Sequence, residues 1–331
     1  MGGHQLKMGN RIPLVSVVIP VRNGMPFIRK CVSSAAEQTW SSTEVIVVDD
    51  GSTDGSSECV QDCGYRNIKL IQGTGSGACA ARNAGLAASS GEFVQFLDAD
   101  DLLGPNKIEL QVQQLLGALS SESCVSYSRL TQFRDGSDPE AGITWHDVHR
   151  SMDRPVDLLI EILDSGRFIQ TGQWLIPRSL AISAGPWDEN LCADQDGDYF
   201  SRVLVRATAC VACPDAVAYY RRMNTGLQIS AGKTQDHFES RMQALDRKLS
   251  LVRGIADEQQ MRKIISRQCG QLAFSSYPCN VPVTRRCLAM LKAHGVEFVP
   301  EFPTLRLRLI SKFLGWRVAR YCSYLKHGGL G

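Results

Sequence analysis

Three aspartates occur together at Asp98, Asp100 and Asp101, directly after the apolar run 93–97. Carboxylates this close repel one another unless a cation offsets their charge. A hard divalent cation prefers oxygen ligands and commonly takes some of them from a substrate phosphate. The triplet therefore predicts a Mg²⁺ or Mn²⁺ site that also holds a phosphorylated substrate, and a polar loop that happens to be acidic is the alternative.

Two further acidic clusters stand at 49–52 and at 194–198. Both look like the start of a calcium-binding loop, which needs glycine at position six and glutamate at position twelve. In the loop that would start at Asp194, the glycine is at position four and Val205 is at position twelve. In the loop that would start at Asp50, position twelve is Gln61. Neither segment is an EF-hand.

A glycine-rich loop at 73–77 opens a predicted helix in which Arg82 and Asn83 lie one turn in. By shape, such a loop can hold a pyrophosphate with its backbone amides, as dinucleotide-binding proteins do. That fingerprint normally joins the first strand to the first helix, whereas this loop follows the third strand. The pattern therefore disfavours a dehydrogenase. Arg82 and Asn83 stay candidates for a phosphate or nucleotide contact, with a solvated helix face as the alternative.

The elements that must position these residues alternate regularly. A buried-strand run at 15–19, a β-branched run at 44–48, a short run at 68–72 and an apolar run at 93–97 predict four strands, and helices are expected between them at 26–38, 52–63 and 78–89. We expect Ser52 or Thr53 to cap the second helix and Asp101 to cap a later one. Alternating strands and helices predict an α/β fold with a mostly parallel sheet, which binds ligands beyond the carboxyl ends of its strands. The polar clusters at 22–24, 49–52 and 98–101 all follow strands and meet at that edge.

With these residues assembled, the chain resembles the family 2 glycosyltransferases. The ordered blocks that carry the resemblance are Val15–Pro20 with Asn23-Gly24, Val47–Asp54, Ala81–Leu86, Gly91–Phe93 with Phe96–Asp101, and Gly185–Glu189 leading to Asp196–Phe200 and Arg202. Together they cover roughly residues 14 to 225. The resemblance implies the GT-A fold, a Rossmann-like nucleotide-diphospho-sugar transferase fold, with an α-helical C-terminal extension.

The resemblance also implies roles for individual residues. Asp50 would contact the nucleotide base, Asp100 would ligate the metal that bridges the donor diphosphate, and Asp98 would assist at the ribose or the metal. Asp196 matches the catalytic base. The full set implied for the nucleotide-sugar is Pro20, Asn23, Asp50, Arg82 and Asp98, and the set implied for the metal is Asp100 and Asp98.

The chain departs from the family pattern at two positions. Gln195 stands where a glutamate usually precedes the base, and Arg22 stands where an aromatic residue often precedes Asn23. Arg221 and Arg222 precede a 225–230 stretch that is similar to the loop closing over the donor, which implies a diphosphate contact from one of them.

Composition sets further bounds. Thirty-six lysines and arginines against 34 acids give a net charge of +2, which offers no argument for nucleic-acid binding. The first ten residues are polar with no apolar signal-peptide core, and twelve cysteines are scattered singly, so we expect a cytoplasmic protein with reduced thiols. No apolar stretch approaches the roughly 18 residues that span a bilayer. We expect an N-terminal tail at 1–13, a GT-A domain at 14–231 and a helical extension at 232–331.

The sequence thus predicts a metal-dependent, inverting glycosyltransferase of the hexosyltransferase type. The expected donor is a nucleotide-sugar, with a UDP-sugar favoured, and the expected acceptor is a glycan or lipid-linked hydroxyl in cell-surface polysaccharide synthesis. A nucleotidyltransferase that makes a nucleotide-sugar and an inactive sugar-binding module are the alternatives. The segment 301–331 interleaves cations with apolar residues. It suits either peripheral contact with the inner membrane face or a helix packed on the catalytic domain.

Overall fold

A computed structural model describes residues 12–118, 123–145, 150–222 and 232–326 of the chain. The predicted alternation of strands and helices in the first hundred residues is confirmed. The elements there are β1 (Val15–Val21), α1 (Ile28–Ala36), β2 (Thr43–Asp49), α2 (Ser56–Gln61), β3 (Ile68–Gln72), α3 (Ala78–Ala88) and β4 (Phe93–Phe96). Every residue of β1 and of β4 is buried, which explains why these strands are apolar except for Ser16 and Gln95.

The strands that follow extend the same sheet. They are β5 (Leu102–Leu103), β6 (Cys124–Arg134), β7 (Ile143–Trp145), β8 (Trp174–Pro177) and β9 (Ala209–Arg222). The helices are α4 (Lys107–Gly117), α5 (Pro155–Ser165), α6 (Arg178–Ser183), α7 (Gln195–Leu204), α8 (Gln235–Val252), α9 (Glu258–Ser276), α10 (Val281–Ala293), α11 (Leu305–Leu314) and α12 (Trp316–Lys326).

The nine strands form one mixed sheet in the order β3-β2-β1-β4-β8-β6-β9-β5, and β7 pairs with β6. β1 pairs in parallel with β2 and with β4, and β2 pairs in parallel with β3. β8 is antiparallel to both of its neighbours, whereas β6 and β9 are parallel to each other. The carboxyl ends of β1, β2 and β4 therefore meet at one edge, as the sequence predicts.

Two predicted caps are wrong. Helix α2 begins at Ser56 with Gly55 at its N-cap, because Ser52 and Thr53 are engaged in bonds to Asn23. Asp101 caps no helix. It is buried at 2% exposure and accepts hydrogen bonds from Arg221 and Gln170, while α4 begins six residues later.

The chain divides into two compact units. The first takes its described residues from Met1–Ser151, Gln170–Pro186 and Thr208–Arg222, and it contains the whole sheet. The second takes them from Met152–Ile169, Trp187–Ala207 and Met223–Gly331, and it consists of helices α5 and α7 to α12 with their connections. Residues of the expected 14–231 domain thus contribute to both units, and its expected end at 231 lies outside the described residues.

The helical extension expected at 232–331 is confirmed in kind by α8 to α12. Asp257 caps α9 by accepting from the Gln260 backbone, while the Gln260 side chain accepts from the backbone of Asp257. None of the helices within the described ranges is long and apolar enough to cross a membrane.

Candidate active site

Asp50 lies at the end of β2 and fills the glycine-rich loop. Its two carboxylate oxygens accept hydrogen bonds from the backbone N–H groups of Gly75 (2.8 Å) and Gly77 (2.7 Å), and the residue is 2% exposed. Gly73 passes so close that a Cβ there would lie 2.7 Å from Asp50 Oδ1. The loop amides are therefore occupied by the chain's own carboxylate, which is the physical reason against a pyrophosphate cradle here.

Asn23 joins the loops that follow β1 and β2. It adopts a positive φ of 54°, its backbone N–H donates to Ser52 Oγ at 2.9 Å, and its Oδ1 accepts from the Thr53 N–H at 2.8 Å. Pro20 is buried within β1. The nucleotide contacts implied for these two residues stay predictions, and the observed role of Asn23 is to fix the loop that carries Asp50.

Asp98 is held from both sides. Arg82, on α3 and buried, donates from a guanidinium nitrogen to Asp98 Oδ1 at 2.6 Å, and Gln170 Nε2 lies 3.3 Å from Oδ2. The structure thus brings together two predicted site residues, Arg82 and Asp98. Because Arg82 is tied to Asp98, the pair can present one carboxylate in a fixed orientation, and the solvated-face alternative for Arg82 is excluded.

Asp100 and Asp101 are less well neutralised by neighbouring cations than Asp98, which pairs with Arg82. Burial and then the neighbouring charge of Asp98 raise the pKa of Asp100 to about 6. Burial and then the charges of Asp100 and Asp98 raise the pKa of Asp101 well above its usual value. Within the described ranges, no lysine or arginine forms an ion pair with either carboxylate. This part of the sheet edge is electrostatically suited to a bound cation.

Arg221, at the end of β9, donates hydrogen bonds to the triplet. Its backbone N–H donates to Asp101 Oδ1 and its Nε to the Asp100 carbonyl, each at 2.8 Å. The guanidinium also pairs with Asp135 and lies 4.6 Å from the ring centroids of both Phe27 and Phe133. These contacts favour a positioning role for Arg221 over the diphosphate contact. The 225–230 stretch that follows lies outside the described residues.

The residues at the triplet fit a hard divalent cation. Asp98 and Asp100 offer oxygen ligands, and a bound cation would offset the charge that raises the pKa of Asp100. In the described part of the chain, no three His, Cys, Asp or Glu side chains are grouped as a complete metal cage. Mg²⁺ is usually held by one or two carboxylates together with substrate phosphates, which matches this incomplete donor set.

Asp196 lies in the second unit, in the first turn of α7. Its Oδ1 accepts from the Gly197 N–H at 2.9 Å. A helix N-terminus stabilises a carboxylate. Gly197 is required there, since a Cβ would lie 2.0 Å from Asp194 Oδ1. The aromatic ring of Trp187 stacks on Tyr199 with centroids 4.1 Å apart, which joins two of the sequence blocks that resemble the family.

Cations from α8 hold the acids around Asp196. Arg247 pairs with Asp188 at 2.5 Å and with Asp198 at 3.4 Å, and Lys248 pairs with Asp194. Asp198 is 1% exposed and also pairs with Arg202 at 2.9 Å. Burial acts to raise the pKa of Asp188, but hydrogen bonds from Asn190 and Arg247 outweigh it and the pKa is lowered.

Sequence reasoning missed two residues that organise these clusters and one buried cation outside them. Gln170 bridges Asp98 and Asp101, Arg247 bridges Asp188 and Asp198, and Lys107 is buried against the side-chain oxygens of Gln95 and Gln111. A lysine in the first turn of helix α4 is unremarkable by sequence pattern. Gln170 and Arg247 lie about 50 to 70 positions from the acids they bind, so no local spacing signals them.

The sheet order, the Asp-Xaa-Asp segment at the end of β4 and the aspartate at the end of β2 define a GT-A-like transferase fold. Crystal structures of S. aureus TarS share it. A structure of TarS 1-349 in complex with UDP-GlcNAc aligns with a TM-score of 0.57 and 18% identity, over 95% of this chain and 92% of that one. Residues 16–175 match the model of Glycosyl transferase family 2.

Curated relatives match over part of this chain. An uncharacterized glycosyltransferase of Rickettsia bellii is 31% identical over 202 residues, which are 60% of this chain and 29% of that protein. The hyaluronan synthase of Pasteurella multocida is 33% identical over 143 residues, covering 43% of this chain and 15% of that protein. The chain spans under a third of the length of the Rickettsia bellii relative.

Proposed function

We propose that the chain is a metal-dependent, inverting hexosyltransferase that uses a nucleotide-diphosphate-sugar. The observation that carries the proposal is the Asp98–Asp100 pair at the same sheet edge as the buried Asp50, within a region that matches the model of family 2. A UDP-sugar is favoured because a structure with the same fold is described in complex with UDP-GlcNAc. The proposed acceptor is a hydroxyl of a glycan or lipid-linked intermediate in cell-surface polysaccharide synthesis.

Each residue has a proposed task. Asp50, fixed by the glycine loop, offers remaining lone pairs to an N–H of the nucleotide base. Asp100, with Asp98 held by Arg82, ligates Mg²⁺ or Mn²⁺. When bound, the ion acts as a Lewis acid that neutralises charge on the departing diphosphate. Asp196 accepts the proton of the acceptor hydroxyl as general base. Direct displacement by that hydroxyl inverts the anomeric centre.

A panel of nucleotide-sugars with Mn²⁺, read out by release of nucleoside diphosphate, tests the class and names the donor. Asp100→Asn should lose metal-dependent donor binding in calorimetry, with activity down about 10²–10³-fold. Asp196→Asn should keep donor binding and lose transfer. The exposed acids Asp62 and Asp236 provide matched controls as Asp→Asn variants.

The outcomes separate the alternatives. A nucleotidyltransferase would form a nucleotide-sugar from a sugar phosphate instead of releasing nucleoside diphosphate. A sugar-binding module would bind a donor and neither hydrolyse nor transfer it. Near-normal turnover in Asp196→Asn would show that the base is another residue.

A further inference from the structure

Helices α11 and α12 expose large apolar side chains. Leu305 is 71% exposed, Phe313 75% and Leu314 65%, and on α12 Leu325 is 60% exposed. No residue of α11 is buried, and on α12 only Ala319 is. Soluble proteins expose single apolar residues routinely, but a contiguous apolar surface marks a site of association.

The exposed residues follow the helical repeat. On α11, Leu305, Leu309 and Phe313 are four residues apart and therefore lie on one side of the helix. On α12, Val318, Tyr321 and Leu325 are spaced by three and four and also share one side. Each helix thus presents a narrow apolar stripe to solvent. We call these two stripes the C-terminal apolar surface.

A different side of α12 already packs on the second unit. Trp316 makes edge-to-face contacts with Tyr277 and Phe298, with centroids 5.6 and 5.1 Å apart. Arg320 Nε donates to the Phe274 carbonyl at 3.2 Å. The side of α12 that packs is therefore different from the side that contributes to the C-terminal apolar surface, which faces solvent. This observation favours peripheral membrane contact of the two roles that the sequence leaves open for 301–331, because the apolar residues of these stripes do not pack against the described residues.

Cations flank the stripes. Between Phe302 and Gly331 the sequence has six lysines and arginines and no acid. On a helical projection, Arg306 falls to one side of the α11 stripe and Arg308 and Lys312 to the other, while Arg317 and Lys326 flank the stripe of α12. Apolar side chains bordered by cations, with no acid among them, match the electrostatics of an anionic lipid headgroup layer.

We propose that α11 and α12 bind the surface of an anionic lipid bilayer. With 10 and 11 residues they are each about half the length that spans a membrane, so they lie in the headgroup plane with the apolar surface inserted. The proposal does not depend on the transferase activity, and the two can fail separately.

Flotation of the full chain with vesicles of phosphatidylcholine, alone or with 30% phosphatidylglycerol, tests the proposal. The wild type should float with the anionic vesicles and much less with the neutral ones, and the binding should weaken steeply as salt rises. The charge variant combines Arg306→Gln, Lys312→Gln and Arg317→Gln, and the apolar variant combines Leu309→Gln, Phe313→Gln and Leu325→Gln. Each should bind anionic vesicles about 100-fold more weakly.

The matched control combines Lys263→Gln, Arg285→Gln and Lys292→Gln, three exposed cations on α9 and α10. It removes the same charge and should bind like the wild type if the cations of α11 and α12 are the ones that matter. Because all the substituted side chains are exposed or near the surface, melting temperatures and nucleotide-sugar turnover should be unchanged.

Three results would overturn the proposal. The first is a wild type that does not float with anionic vesicles at low salt. The second is a control variant that loses as much binding as the charge variant. The third is a wild-type dimer, measured by light scattering, that the apolar variant converts to a monomer without any change in flotation, since the surface would then bind a second copy of the chain.

Discussion

The acids of the two units differ in how their charge is balanced. In the first unit, Arg82 pairs with Asp98, while Asp100 and Asp101 form no ion pair in the described part of the chain. In the second unit, Asp188, Asp194 and Asp198 each lie in an ion pair with a cation of α8. The pKa values of these two clusters differ in the same sense, because the pKa of Asp100 is raised to about 6 and that of Asp188 is lowered.

This difference separates the proposed cation-binding edge from a cluster that fixes a turn. Charge left uncompensated in the folded protein lowers stability and is retained where a ligand will offset it. Charge compensated internally fixes side chains in place, and here it fixes the turn that carries Asp196. We therefore expect neutralising substitutions to have opposite effects on the stability of the two units.

The largest expected effect comes from Asp198→Asn in the cluster that fixes the turn. The substitution removes the partner of Arg202 and Arg247 at a buried position and should lower the free energy of unfolding by about 3 kcal/mol. Urea unfolding measures the loss, with exposed Asp236→Asn as the control. An unchanged midpoint would mean that the α8 cations do not hold this cluster.

Asp100→Asn should act in the other direction. It removes a carboxylate whose pKa is raised to about 6, so the metal-free protein at pH 8 should gain about 1–3 kcal/mol of stability. The measurement is urea unfolding in EDTA, beside the same assay on Asp62→Asn. If Asp100→Asn destabilises the protein as Asp198→Asn does, the contrast between the two clusters is wrong.

Lys107 extends the comparison to a buried cation. It is fully buried against two amide oxygens, and burial lowers its pKa from 10.5 to about 7. Between these values the unfolded chain binds a proton that the folded one does not, so stability should rise with pH over this window. The wild type should gain about 1.4 kcal/mol per pH unit relative to Lys107→Met. If the stability–pH curves of the wild type and Lys107→Met run parallel, the pKa of Lys107 is not lowered in the folded protein.

Gln170→Leu should give the smallest effect. It removes the amide that donates to Asp101 at 2.7 Å and lies 3.3 Å from Asp98, and should cost about 1 kcal/mol. Gln170→Glu is the informative partner variant, since it adds a fourth carboxylate and should destabilise further unless Mn²⁺ is supplied. If Gln170→Leu and Gln170→Glu are equally stable in EDTA, an added carboxylate does not repel the aspartates of the triplet.

The sequence predicts the sheet edge well because its determinants are local. Strands β1, β2 and β4 are largely apolar and mostly buried, and each polar cluster directly follows one of these strands. What escapes prediction is contributed from far along the chain. Asp101 looks like a helix cap until β9 brings Arg221 against it, and Gln170 reaches the triplet because β8 pairs with β4. Such pairings depend on tertiary packing that no spacing of residue types reveals.

The glycine loop also has a consequence for selectivity. The Asp50 carboxylate accepts hydrogen bonds from the N–H groups of Gly75 and Gly77. Because it belongs to the same chain, it competes for these N–H groups at an effective concentration in the millimolar range or higher. Free phosphate or an abundant nucleotide must therefore displace a permanent competitor before it can use these N–H groups. We therefore expect the wild-type loop to bind free phosphate weakly and the loop of Asp50→Ala to bind it more tightly.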